Sequence, residues 1–142
     1  MPEDAPDDGE SGMLKGTKIL VVDDDFRNLF ALTALLERAQ AEVTAAESGP
    51  EALELLAGNK RTDIVLMDIM MPVMDGYATI RAIRQDDRHK DLPVIAVTGK
   101  VVPGERRRCL DAGASDYVPK PVNAADLLTA MNPWVRLLQQ RT

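Results

Sequence analysis

At 142 residues the chain is long enough to bury the core of one domain, and 45% hydrophobic with 28% charged residues is a globular balance, neither disordered nor membranous. No apolar run approaches the roughly 18 residues that span a bilayer, the acidic N-terminus is unlike a signal peptide, and the lone Cys109 excludes an internal disulfide or a cysteine-based zinc site. A cytoplasmic setting without membrane insertion is the expectation.

The net charge of −6 is concentrated at one end. Residues 1–12 hold Glu3, Asp4, Asp7, Asp8 and Glu10 with no basic residue, so residues 1–14 are expected to be a disordered acidic tail and 15–142 the folded domain. The nearly neutral body gives no electrostatic case for direct nucleic-acid binding.

In chain order, strand and helix signals then alternate. Ile19 to Val22 is a continuous apolar run, the mark of a strand covered on both faces. Phe26, Leu29, Phe30, Thr33 and Leu36 recur at helical spacing. Val43 to Ala46 is a weaker strand suited to a sheet edge. The next helix runs from about Pro50 to Ala57, with Ser48 and Glu51 at capping-box spacing and Gly58 and Asn59 at its end. Ile64 to Met67 is a second apolar run, ending at Asp68. A loop of Pro72, Asp75 and Gly76 leads into a helix near Tyr77 to Gln85, and Asp86 to Asp91 forms a polar surface connection in which His89 is a solvated loop residue.

Val94 to Val97 is the third buried run, ending at Thr98. A short helix through Arg106 to Leu110 ends at Gly113, with Cys109 facing the core and three arginines on a solvated face. Tyr117 and Val118 form a last strand before Pro119-Lys120-Pro121, and Asn123 caps a final helix from Ala124. Pro133 cannot continue that helix's hydrogen-bond ladder, so a kink or break near Met131 is expected, with Asn132 and Pro133 able to start a separate short helix.

Five βα units with three buried central runs predict a doubly wound α/β sheet of five parallel strands and five helices. Five strands fit the flavodoxin-like order 2-1-3-4-5, whose reversal lies between the first and third strands. Asp23, Asp24 and Asp68 end those two strands, so the topology gathers three carboxylates in the crevice where such sheets bind ligands. Asp25 reads instead as an acid at a helix N-terminus, and Asp75 as a turn or cap.

Three ionised carboxylates in one crevice repel one another and need a cation. An all-oxygen site suits Mg²⁺, and Mn²⁺ could substitute. A carboxylate can also attack phosphorus to give an aspartyl phosphate. Such transfer requires mainly alignment and neutralisation of the equatorial oxygens: the metal would take one, the Lys120 ammonium another and the Thr98 hydroxyl a third.

The segments Val21-Val22-Asp23-Asp24-Asp25, Met67-Asp68-Ile69-Met70-Met71-Pro72, Asp75-Gly76, Val97-Thr98-Gly99 and Tyr117-Val118-Pro119-Lys120-Pro121 together resemble a two-component response regulator receiver domain of the CheY-like kind, from about Thr17 to Leu138. Through Phe26-Arg27-Asn28-Leu29-Phe30-Ala31-Leu32 the chain is most similar to receivers of hybrid sensor histidine kinases. The resemblance implies that Asp68 is the phosphoacceptor, Asp24 a direct metal ligand, Asp23 a ligand through water and the Met70 carbonyl a backbone ligand. It also implies that Thr98 and Tyr117 form the switch, that Lys120 pairs with the phosphoryl group, and that Lys120-Pro121 is cis and aims the lysine inward. Met70 and Lys100 flank the site at positions that tune dephosphorylation in the family, and a bulky Met70 is expected to hinder the attacking water. Gly99 departs from the small residue, most often Ala, usual after the threonine, which loosens the backbone there.

The function expected is a single-domain response regulator that takes a phosphoryl group from a sensor histidine kinase or histidine phosphotransfer protein and signals to a downstream protein. It would be no enzyme beyond its own phosphorylation and dephosphorylation. A phosphorylation-independent receiver-fold interaction module is the competing class, against which the complete acidic set argues. An aspartyl-phosphate hydrolase would want an acid where Met70 stands. No residues remain for an output domain, so the chain is expected to be a stand-alone receiver or a piece of a hybrid kinase.

Overall fold

The apolar runs become the strands of one parallel sheet. A computed structural model describes residues 12–58, 60–100 and 102–141. The elements are β1 (Lys18–Val22), α1 (Phe26–Arg38), β2 (Glu42–Ala46), α2 (Gly49–Ala57), β3 (Ile64–Asp68), α3 (Gly76–Gln85), a 3-10 turn (Asp87–His89), β4 (Val94–Thr98), α4 (Glu105–Ala112), β5 (Asp116–Pro119) and α5 (Ala124–Arg141). The strand order is β2-β1-β3-β4-β5, the flavodoxin-like order expected. β1 pairs on one side with β2, from Lys18 opposite Glu42, and on the other with β3, from Ile19 opposite Ile64.

Period-two alternation divides the strand side chains between two faces. Ile19, Val21, Ile64, Leu66, Ile95 and Val97 pack with Leu29, Leu32 and Leu36 of α1 and with Leu127 and Met131 of α5. Leu20, Val22, Val65, Met67, Val94 and Ala96 pack with Leu56 of α2, Ile80 and Ile83 of α3 and Cys109 of α4. Each fully buried Leu, Ile or Val contributes ~1.5–3 kcal/mol, so the layers are held by apolar burial from both sides. β2 and β5 are the two edges, and β2, with three exposed residues against one in β5, is the more exposed.

Helix starts follow from short polar side chains. Asp25 Oδ1 accepts the Arg27 N–H at 2.8 Å and Asp75 Oδ1 the Ala78 N–H at 2.9 Å. Ser48 Oγ accepts the Glu51 N–H at 3.2 Å, while the Glu51 carboxylate reaches back to the Glu47 N–H at 2.7 Å, one residue earlier than in the usual capping box. Asn123 Oδ1 accepts the Asp126 N–H at 2.8 Å. Each such cap is worth ~1 kcal/mol.

Three expectations need correction. The folded body begins before residue 15: Leu14 is completely buried in the α1–α5 core, with Met13 packed against that cluster, and its N–H bonds to the Ala39 carbonyl at 3.1 Å. Residues 1–11 of the expected tail, and Asn59 at the expected end of α2, lie outside the described residues. The second correction is Pro133, which does not break the last helix: α5 runs unbroken from Ala124 to Arg141 with Pro133 inside it. Met131 and Val135 are buried on either side, and their burial, ~1.5–3 kcal/mol each, offsets an interior proline's cost of ~3 kcal/mol. Third, His89 is only partly exposed, its Nδ1 lying 3.6 Å from Asp86.

Candidate functional site

β1 and β3 are neighbours, so Asp23, just past β1, and Asp68, the last residue of β3, meet at one edge of the sheet. Carboxylate oxygens of Asp23, Asp24 and Asp68 all lie within 4.8 Å of one another. Asp23 is 1% exposed and Asp68 2%, whereas Asp24 faces solvent. The Lys120 ammonium reaches in from the chain after β5, 3.0 Å from Asp68 Oδ1 and 3.4 Å from Asp23 Oδ2. The Lys120-Pro121 peptide is cis, and the Lys120 N–H donates to the Thr98 carbonyl at 2.8 Å.

Backbone amides fix the acids. Asp23 Oδ1 accepts the Asp25 N–H at 2.8 Å, and Asp68 Oδ1 accepts the Met70 N–H at 3.3 Å. The loop after Asp68 returns through Gly76, whose N–H bonds to the Ile69 carbonyl at 2.9 Å. A β-carbon at Gly76 would collide with the Asp68 carbonyl oxygen and lie 2.6 Å from Ile69 Cα. Only glycine lets α3 start so close to the end of β3.

Burial is the largest influence on Asp68 and, with the charge of Asp23, raises its carboxyl to about 6 against the opposing pull of Lys120. Burial also works against the Lys120 ammonium, but its hydrogen bond to Asp68 and the charges of Asp68 and Asp23 outweigh that and hold its pKa above the ordinary value. One ammonium thus partly neutralises three carboxylates. Excess hard oxygen donors on one small crevice is the donor chemistry of a Mg²⁺ site, so the residues present fit that ion.

The remaining expected residues lie nearby in distinct environments. Thr98 is fully buried at the end of β4, and its hydroxyl accepts the Lys100 N–H at 3.1 Å. Tyr117 is half-buried on β5, in register with Ala96 of β4. The Met70 side chain stands exposed at the rim. Asp25 and Asp75 serve as helix caps outside the cluster, as expected.

Sequence reasoning missed a buried polar pair beside the site. The Tyr77 hydroxyl donates to the Glu105 carboxylate at 2.6 Å, and both residues are almost wholly buried. Burial first, then the Glu105 hydrogen bond and charge, hold the Tyr77 phenol well above its ordinary pKa. Burial and Glu105 likewise push the Cys109 thiol up to about 12. The available signal was periodic: Glu105 shares the buried stripe of α4 with Cys109 and Ala112, at i, i+4 and i+7.

The chain is similar to known proteins over most of its length. Residues 19–132 match the family described as response regulator receiver domain. The two-component response regulator ORR7 of Oryza sativa subsp. japonica is 37% identical over 109 residues, 77% of this chain and 52% of the relative. The response regulator MprA of Mycobacterium sp. (strain KMS) is 41% identical over 119 residues, 84% of this chain and 50% of the relative. The chain therefore spans about half the length of these two relatives. Among solved structures, the receiver domain of the sensor histidine kinase PA1611 from Pseudomonas aeruginosa PAO1 is 36% identical with a TM-score of 0.77, covering 85% of this chain and 98% of that one. That structure has a magnesium ion coordinated in its active-site cleft.

Proposed function

The chain belongs to the response regulator receiver domain family, and from that premise we propose that it accepts a phosphoryl group on Asp68 from a histidine of a sensor kinase or histidine phosphotransfer protein. The observation that carries this reading is the Lys120 ammonium held between Asp68 and Asp23, at 3.0 and 3.4 Å, beside the third carboxylate of Asp24. In the transfer, an Asp68 carboxylate oxygen forms a bond to phosphorus as the bond from phosphorus to the histidine nitrogen breaks. The imidazole leaves with the electron pair and takes a proton from solvent.

Asp24 and Asp68 would hold Mg²⁺ directly, Asp23 through water, with the Met70 carbonyl as a backbone ligand; Mn²⁺ suits the same donors. Bound there, the ion supplies charge neutralisation for the phosphoryl oxygens. Lys120 pairs with another phosphoryl oxygen, and the buried Thr98 hydroxyl moves to a third. Tyr117 on the neighbouring strand then turns inward, which alters the face built by α4, β5 and α5 for a downstream protein. Exposed Phe26 and Phe30 on α1 support a protein donor that docks beside the site. The setting proposed is cytoplasmic; among the described residues no helix is long and apolar enough to cross a membrane.

The test is incubation with a small-molecule phosphodonor and Mg²⁺, followed by intact mass of the wild type and Asp68→Asn. A single phosphoryl adduct on the wild type, absent from Asp68→Asn and from chelator-treated protein, is expected. No adduct on the wild type would overturn the reading in favour of a phosphorylation-independent interaction module.

A further inference from the structure

The Tyr77–Glu105 pair has a third partner that reaches the site. Tyr77 lies in the first turn of α3 and Glu105 is the first residue of α4, so their hydrogen bond joins two helices across 28 positions of sequence. Among the described residues, the hydrogen-bond partners of the Glu105 carboxylate are the Tyr77 hydroxyl and the weak donor Cys109 Sγ, at 3.6 Å. A buried carboxylate holds such a donor firmly, because losing it leaves the charge unpartnered. The ring of Tyr77 is therefore pinned at its hydroxyl end.

Two cations lie over that ring. The Arg108 guanidinium is 4.5 Å from the ring centroid and the Lys100 ammonium 5.4 Å, both within the roughly 6 Å reach of a cation–π contact. Lys100 is also joined to the site, since its N–H donates to the Thr98 hydroxyl. Lys100, with Ile69, Met70, Met71, Asp75 and Tyr77, lines a recess of about 410 Å³ formed largely by the loop that follows Asp68. The ammonium thus stands against the ring of Tyr77, one of the residues lining that recess.

We propose that Tyr77 is a positioning residue for Lys100, and that the Tyr77–Glu105 pair thereby sets how long a phosphoryl group survives on Asp68. The proposal rests on the phosphoacceptor role of Asp68 given above. Hydrolysis proceeds when a water oxygen bonds to phosphorus, the bond from phosphorus to Asp68 breaks and inorganic phosphate leaves, with the water proton passing to solvent. Held on the ring, the Lys100 ammonium is kept from orienting that water, and the ring itself narrows the recess. Freeing the lysine speeds hydrolysis.

The test combines two readouts. In the metal-free protein, NMR of the Lys100 side-chain methylenes is expected to show upfield ring-current shifts that vanish in Tyr77→Leu, shrink in Tyr77→Phe and persist in Glu105→Gln, whose amide oxygen still accepts the hydroxyl. In protein phosphorylated with a small donor, Tyr77→Leu is expected to shorten the phosphoryl lifetime about two- to fivefold, the scale of one such contact. That change should largely disappear when Lys100→Gln is already present. Equal acceleration with and without Lys100, or no ring-current shift in the wild type, overturns the proposal. Should Tyr77→Leu not fold, Tyr77→Phe decides: unchanged shift and unchanged lifetime remove Glu105 and the hydroxyl from any role. Absence of a phosphoryl adduct on wild type defeats the phosphoacceptor reading instead, a result separable from the ring-current measurement.

Discussion

On the β1–β3 side of the sheet's carboxyl edge, Asp23 and Asp68 each accept a backbone N–H, and Gly76 is wedged against the backbone of Asp68 and Ile69. On the β4 side, the loop after Thr98 carries Gly99 and Gly104, and a β-carbon at either would meet nothing within 4 Å. α4 begins without a side-chain cap. The difference separates two tasks. Charge stabilisation works best with groups fixed beforehand, whereas a segment that must rearrange is drawn from the parts of a fold with few constraints. The carboxylate half is fixed beforehand, and the β4–α4 half has room to move.

The contrast is broken most directly at Gly76. Gly76→Ala forces a β-carbon into backbone atoms that cannot yield, so we expect a loss of at least ~2 kcal/mol, read as a lower urea midpoint, together with loss of phosphoryl acceptance. An unchanged midpoint would show that the β3–α3 junction is as pliant as the loop after β4.

A second, smaller effect tests the electrostatic side of the preorganised half. Asp68 has its carboxyl raised from 3.8 to about 6, so between those values the folded state binds more protons than the unfolded chain. By linkage, stability must then fall as pH rises through this window. In chelator, wild type should lose on the order of 1–2 kcal/mol between pH 4 and pH 7 from this group. Asp68→Asn should lack that decline and be the more stable protein at pH 7, with Mg²⁺ narrowing the gap. Parallel urea midpoints for the two proteins across the window would remove the strain assigned to the carboxylate cluster.

The two halves also differ in how far they could be read from sequence. Ile19–Val22, Ile64–Met67 and Val94–Val97 announce buried strands because the signal is local, and the topology they imply is enough to bring Asp23, Asp24 and Asp68 together. Caps at Ser48 and Asn123 are legible for the same reason. Leu14 was not, since a buried leucine next to an acidic stretch shows no periodicity of its own. Pro133 misled because the rule against interior proline concerns the backbone alone, whereas Met131 and Val135 hold the helix from the core side. The Tyr77–Glu105 bond joins residues too far apart in the chain for spacing to reveal, although the α4 stripe of Glu105, Cys109 and Ala112 hinted that this acid faces inward.

The smallest predicted effect has the opposite sign and bears on the looser half. Gly99 has no positive φ, and a β-carbon there would meet nothing within 4 Å, so neither strain nor crowding requires glycine. Gly99→Ala should therefore stabilise the protein by ~0.4–1 kcal/mol, chiefly by removing freedom from the unfolded chain. The same substitution stiffens the backbone between Thr98 and Lys100, whose amide bonds to the Thr98 hydroxyl, and that amide should exchange its hydrogen more slowly. If glycine serves mobility, the stabilised variant should still accept a phosphoryl group while responding less to it, seen as smaller chemical-shift changes at Tyr117 on phosphorylation. A destabilised Gly99→Ala would mean that the β4–α4 loop is set as tightly as the β3–α3 junction, and the division into a fixed half and a moving half would have to be given up.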